Sequence, residues 1–126
     1  MIDISFLNFL QTLTSLPIQQ DLISADTSTA RVWFQRQTFN QDVFLSGSPA
    51  IADTTFAVEV CSLDIDQCQT EATNIRTALN GYRGLMLFDL VLGCFVSDSA
   101  DEYIPRNLND DTGFHVASFQ VQILTQ

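Results

Sequence analysis

The residues that could carry out chemistry are few in this sequence, and their spacing forms no catalytic motif. His115 is the only histidine, and it shares one face of a predicted strand with Phe119 and Val121. No serine or cysteine can be paired with it from spacing alone, so a structural or interface histidine is favoured over a catalytic one. Asp64 and Asp66 could bind a divalent cation, but a helix cap with a neighbouring acid is the simpler interpretation. The sequence contains no lysine, which excludes Schiff-base chemistry and Walker-type phosphate binding.

Other acidic residues lie between Asp98 and Asp111, in a segment that the sequence predicts to be a loop. They are Asp98, Asp101, Glu102, Asp110 and Asp111. The segment lacks the ordered ligand spacing and the central glycine of a calcium loop, so we expect it to be solvated. Asp89 interrupts an apolar run, and burying it alone would cost several kcal/mol. We therefore expect Asp89 either on a loop or directed at an arginine of a neighbouring subunit. No cofactor and no bound metal are predicted.

Composition limits the classes of function. The chain has 126 residues, which corresponds to one domain over residues 1–126, and its formal net charge is -10. Its five arginines are scattered, so binding of nucleic acid through charge attraction is not expected. With 46% hydrophobic and only 16% charged residues, part of the surface is expected to be covered by partners.

The sequence also indicates where the protein is made. The three cysteines, Cys61, Cys68 and Cys94, have neither C-x-x-C spacing nor a nearby histidine, so we expect reduced, buried thiols. The longest apolar run, Leu85 to Val96, is interrupted and too short to cross a bilayer. No signal peptide is recognisable. These features predict a protein of the reducing cytosol with no membrane partner.

The chemistry-bearing residues must be positioned by two predicted helices and four predicted strands. The stretch from Asp66 to Gly84 is a capped amphipathic helix: Asp66 and Gln69 resemble a capping box and Gly81 ends the helix. Its apolar stripe is Cys68, Ala72, Ile75 and Leu79. A first helix is predicted from about Asp3 to Leu16, before Pro17.

The strand patterns predict the fold class. Strands are expected at Arg31 to Phe39, Phe56 to Leu63, within Leu85 to Val96 from Val91 onward, and Gly113 to Leu124. The element order is then α-β-β-α-β-β, and the economical packing is an α+β fold with a four-stranded antiparallel sheet and both helices on one face.

The connection between the first two strands is longer than a hairpin needs. This extended loop, residues 40–55, carries the apolar trio Val43, Phe44 and Leu45, which an isolated monomer would have to expose or bury elsewhere. We therefore predict that it contacts another subunit or a neighbouring protein.

Several linked motifs resemble a known family. The helix ends in I-R-T-A-L-N-G-Y-R-G (Ile75 to Gly84), D-E-Y-I-P follows at Asp101 to Pro105, and the last strand is G-F-H-V-A-S-F-Q-V (Gly113 to Val121). Together with the aromatic strand and the acidic turn before the helix, this pattern resembles the small tail-completion, or tail-terminator, proteins of long-tailed bacteriophages. The resemblance covers about Arg31 to Ile123.

That resemblance implies a structural virion protein without enzymatic activity. The family's subunits form a ring, commonly a hexamer, that caps the tail tube and joins it to the head. The implied partners are further copies of the chain, the tail tube protein, a head-closure or connector protein, and genomic DNA that passes through without specific binding. The implied location is the neck of the virion, after assembly in the host cytoplasm.

An acidic lumen would suit a channel for DNA, because it would not bind phosphate. The channel-lining candidates are Asp64, Asp66, Asp98, Asp101, Glu102, Asp110 and Asp111. Two alternatives remain open at this point. One is a head-closure or other neck protein, and the other is a small ligand-binding or enzymatic α+β domain that uses Asp89, His115 and the acidic loop.

Overall fold

A computed structural model of the chain describes residues 2–20, 30–41, 51–105 and 113–126. These residues form two helices and six strands. In chain order the elements are α1 (Ile2–Leu13), β1 (Ile18–Gln20), β2 (Arg31–Gln41), β3 (Ala52–Ser62), α2 (Ile65–Leu79), β4 (Gly84–Met86), β5 (Asp89–Pro105) and β6 (Gly113–Thr125). No helix in the described ranges is both long and apolar enough to cross a membrane.

The strands form one mixed sheet with the order β1-β2-β3-β6-β5-β4. β1 pairs with β2 in parallel, and each of the other neighbouring pairs is antiparallel. The sheet of the described residues therefore has two lateral edges, β1 with the uncovered part of β2 on one side and β4 with the uncovered part of β5 on the other.

The predicted four-stranded antiparallel sheet is wrong. The polar segment after Pro17 contains the short strand β1, whose parallel pairing with β2 makes the sheet mixed. The run after α2 folds into a hairpin of β4 and β5, where one strand beginning at Val91 was predicted. A three-residue strand has too short a pattern to be recognised from periodicity, so both were missed.

The acidic segment after Asp98 is also a correction. Residues up to Pro105 continue β5 as a strand of 17 residues, paired with β6 as far as Gly113. The polar side chains of this segment are not typical of a strand. It is nevertheless a strand, because pairing with β6 supplies its backbone hydrogen bonds. Register shifts between Val91 and Gly93 and between Ser97 and Ala100 mark irregularities in this long strand.

The amphipathic stripe of α2 is confirmed. Cys68, Ala72, Ile75 and Leu79 are all fully buried. The cap was misplaced by two residues, because Asp64 is the N-cap residue and its carboxylate accepts a hydrogen bond from the Asp66 backbone N–H at 3.0 Å. Gly81 has the left-handed φ of +83° expected after the helix end.

One hydrophobic core joins both helices to the sheet. Strand β3 alternates buried and half-buried residues along its whole length, as expected when one face of a strand is covered. At the centre of the core, the Phe6 ring of α1 stacks on Phe56 of β3 at 4.4 Å and meets Phe34 of β2 edge-on at 5.3 Å between centroids. Aromatic contacts of this kind add roughly 0.5–1.5 kcal/mol to the gain from burial.

Candidate assembly surfaces

The sheet has two ends of opposite character. At one end, Ser62 of β3 and Tyr103 of β5 both lie opposite His115 of β6, and α2 begins immediately after β3. At the other end, Ala52 of β3 and Val91 of β5 both lie opposite Thr125. Almost all described candidate residues from the sequence lie at one or the other of these ends.

Acidic side chains from two elements lie at the end of the sheet that contains His115. Asp64 and Asp66 stand at the start of α2, and Asp101 and Glu102 stand in the last part of β5. All four are exposed. We call these four residues the acidic end. Of the other channel candidates, Asp98 has its backbone in β5, whereas Asp110 and Asp111 lie outside the described residues.

A further acid near this end was not singled out from the sequence. Glu59 of β3 lies opposite Ser118 of β6, which in turn lies opposite Ala100 of β5. Burial raises the pKa of the Glu59 carboxyl, and the negative charge of Glu102 raises it further. The alternation of β3 could have shown it, because Glu59 lies between the buried Val58 and Val60 and must face the opposite side of the sheet.

His115 has surroundings typical of a structural residue. Its ring centroid lies 5.0 Å from that of Tyr103, and its backbone carbonyl accepts a hydrogen bond from the Cys68 thiol at 3.4 Å. All three cysteines carry free thiols. Within the described ranges, no group of three or more histidine, cysteine or acidic side chains could hold a metal ion.

Asp89 is the first residue of β5, at the second end, and it has a partner within the chain. The Ser5 hydroxyl of α1 donates a hydrogen bond of 2.6 Å to its carboxylate and accepts one of 3.3 Å from the Phe88 backbone N–H. Ser5 is fully buried. One serine therefore holds the hairpin turn against α1, and the interface role of Asp89 stays a prediction.

The turn between β4 and β5 exposes apolar side chains. Leu85, Leu87, Phe88 and Leu90 are exposed by 68%, 41%, 70% and 43%. We call these four residues the apolar hairpin. Leu87 has a positive φ of 51°, a conformation that costs a residue with a Cβ atom roughly 1–2 kcal/mol. The sequence marked this stretch only as unusually apolar.

The predicted contact arm attaches at the same end. Val43, Phe44 and Leu45 lie outside the described residues, but the strands on both sides, β2 up to Gln41 and β3 from Ala52, end there. The role of the arm stays a prediction.

Comparison with known proteins gives a fold likeness and no family. No protein-family model and no curated protein sequence matches this chain. Among solved structures, the chain is similar to one in a structure described as the virion of a native gene transfer agent particle. The TM-score is 0.59 with 10% sequence identity, and the match covers 92% of this chain and 83% of the other. At this identity the similarity shows a shared fold.

Proposed function

We propose that this chain is a structural subunit of a phage-like virion, placed in the neck as the tail terminator. Copies of it form a ring that caps the tail tube, joins it to the head and leaves a channel for DNA. The observation that carries the proposal is the fold likeness to a virion chain over 92% of the sequence. The motif resemblance at Ile75 to Gly84 and Asp101 to Pro105 supports the more specific place in the neck.

The distribution of charge fits such a ring. Carboxylates from the start of α2 and from β5 lie at the acidic end. The described arginines of the sheet and α2 are Arg31, Arg36 and Arg76, and of these Arg31 lies at this end, opposite Cys61 of β3. In the proposed ring the acidic end faces the channel and the lateral edges face neighbouring copies. A surface of this kind repels the phosphates of passing DNA and offers them no binding site.

The geometry argues against the enzymatic alternative. Asp89 begins β5, whereas His115 lies opposite Tyr103 near the other end of the same strand. At about 3.3 Å per residue, the part of β5 from Asp89 to Tyr103 is roughly 45 Å long, measured along the strand. Catalytic groups act within hydrogen-bond reach of one substrate, so Asp89 and His115 cannot serve one active site.

The test of the virion role is the appearance of particles made without this chain. A tail terminator stops tube growth, so deleting its gene should give tails of irregular, excessive length and heads without tails. Loss of a head-closure protein would instead give unattached tails of normal length. Electron microscopy of the lysate measures this, and mass spectrometry of wild-type particles should detect the chain. The proposal is refuted if mass spectrometry does not detect the chain in the particles and deletion of its gene does not change their assembly.

The channel role has its own test. Replacing three acids with lysine, Asp66→Lys, Asp101→Lys and Glu102→Lys, should slow DNA passage, because each lysine adds a phosphate contact. Asp64 is left intact because it caps α2. Higher salt should partly restore the rate of genome ejection, since such contacts weaken with ionic strength. The matched control replaces the same acids with Asn, Asn and Gln, and should eject normally. Lysine variants with unchanged ejection and salt dependence would place the acidic end away from the channel.

A further inference from the structure

The apolar hairpin is an uncharged surface on a strongly acidic protein. Between Gly84 and Ser97 the one charged side chain is Asp89, which is half-buried and accepts a hydrogen bond from Ser5 of the same chain. The four exposed side chains present on the order of 400 Å² of apolar surface, the size at which a patch on a small protein marks an interaction site. A standard interface needs about 800 Å² on each partner, so the hairpin would form the centre of a contact and not the whole of it.

Strand β4 of the hairpin is a poor edge for pairing with a further strand. β4 is only three residues long, and the carbonyl of its middle residue, Leu85, already accepts a hydrogen bond of 2.7 Å from the Tyr82 hydroxyl. Short edge strands with occupied backbone groups resist pairing with a further strand. A partner must therefore contact the side chains of the hairpin.

Two features hold these side chains in position. The Ser5 hydroxyl bonds both Phe88 and Asp89 and fixes the turn against α1. Leu87 occupies a left-handed conformation in which glycine or asparagine would be less strained. A strained, exposed leucine in a turn lowers the stability of the isolated subunit. Strained residues of this kind cluster at functional sites, which points to a role for the Leu87 side chain.

The opposite lateral edge offers an unlike, complementary surface at the same end of the sheet. β1 pairs with β2 only from Val32 to Phe34. Beyond Phe34 no described strand pairs with the side of β2 that faces away from β3, and we call this uncovered part of β2, up to Gln41, the Phe39 edge. There the Phe39 ring is 48% exposed and the Arg36 guanidinium lies 5.7 Å from its centroid. The Arg36 guanidinium is also 3.7 Å from the Asp3 carboxylate, so these two charges of the described part of the edge cancel.

We propose that the apolar hairpin of one copy docks on the Phe39 edge of the next copy, and that this head-to-tail contact builds the ring. A second copy is the favoured occupant because the acidic end of a subunit with a charge of -10 lies away from both surfaces, and the one carboxylate in each surface has a partner within its own chain, Ser5 for Asp89 and Arg36 for Asp3. Unlike surfaces on opposite edges are what a heterologous, ring-forming interface requires. This inference rests on the proposed ring.

The experiment uses one variant on each surface, Phe88→Asp and Phe39→Asp, with sedimentation velocity over a wide concentration series. Wild-type protein should assemble. Each variant alone should stay monomeric, with association weakened at least roughly 100-fold, as for a central aromatic residue of an interface. An equimolar mixture should form a heterodimer, in which the intact hairpin of the Phe39 variant docks on the intact edge of the Phe88 variant. The heterodimer should grow no further, because its two remaining surfaces both carry the substitution.

Controls distinguish loss of the proposed contact from misfolding and from a general effect of adding an acid to the surface. Thermal melts should show that both variants are folded, and Phe88→Ser replaces Phe88→Asp if the acid disturbs the turn. Ile65→Asp changes another exposed apolar residue, 50% exposed at the acidic end, and should assemble normally.

Three results would overturn the proposal. They are normal assembly of the Phe88 variant, absence of a heterodimer in the mixture, and a monomeric wild-type protein at every concentration. None of them decides whether the chain is a virion component, because the particle experiments above test that separately.

Discussion

Replacing Ser5 with alanine should loosen the β4–β5 turn and destabilise the protein. The change removes a 2.6 Å hydrogen bond to the Asp89 carboxylate and leaves the Phe88 N–H without its partner. Hydrogen bonds to a charged group contribute about 1.5–3 kcal/mol. Alanine regains roughly 0.5 kcal/mol as the better helix former in α1. The expected net loss in the free energy of unfolding is therefore about 1–2.5 kcal/mol.

Urea denaturation measures the total loss, and amide hydrogen exchange shows where it acts. Exchange at Phe88 should accelerate strongly in Ser5→Ala. Thr12→Ala is the matched control, because Thr12 lies on the same helix and its exposed hydroxyl donates a hydrogen bond to the local Phe9 carbonyl. It should change stability by less than about 0.5 kcal/mol. If Ser5→Ala costs no more than Thr12→Ala, or if amide exchange at Phe88 is unchanged, the Ser5 hydroxyl does not hold the turn.

Three further predictions concern the core and the titrating groups. Leu79→Ala should cost about 2–5 kcal/mol as a truncation of a fully buried side chain, against little for the exposed Leu85→Ala, as measured by denaturant melts. Thiol titration should find three free thiols after denaturation, with very slow reaction at Cys94 in the native protein because burial raises its pKa to about 12; two missing thiols would indicate a disulfide. The raised pKa of Glu59 means that folding favours its protonated form, so ionisation above that pKa costs stability. Glu59→Gln should therefore raise the melting temperature at neutral pH and lose this advantage below about pH 4.5, the usual value for the carboxyl; an equal gain at both pH values would contradict the assignment.

Long periodic segments were predictable from the sequence because each has one buried face. The stripe of α2 and the alternation of Ala117, Phe119, Val121 and Ile123 in β6 agree with the observed burial. The antiparallel pairing of β2 with β3 also agrees with the sequence. In each of these elements the local pattern and the tertiary packing favour the same structure.

The missed elements depend on contacts that no local pattern encodes. β1 and β4 are three residues each and exist because a longer neighbour offers them an edge. The acidic part of β5, around Asp101, is strand because β6 pairs with it. The Ser5 contact joins residues more than 80 positions apart in the chain, and nothing in the sequence around Ser5 indicates it.

Strand β5 links the two surfaces on which the proposals depend. It begins at the apolar hairpin with Asp89 and reaches Asp101 and Glu102 near its other end, and β6 pairs with it from Val91 to Pro105. The backbone hydrogen bonds between β5 and β6, on both sides of the two register shifts, restrict changes in the distance between the two surfaces. If copies join through the hairpin, each contact therefore also sets how far every acidic end lies from the ring axis. The dimensions and charge of the channel would then follow from the same strand that carries the contact between copies.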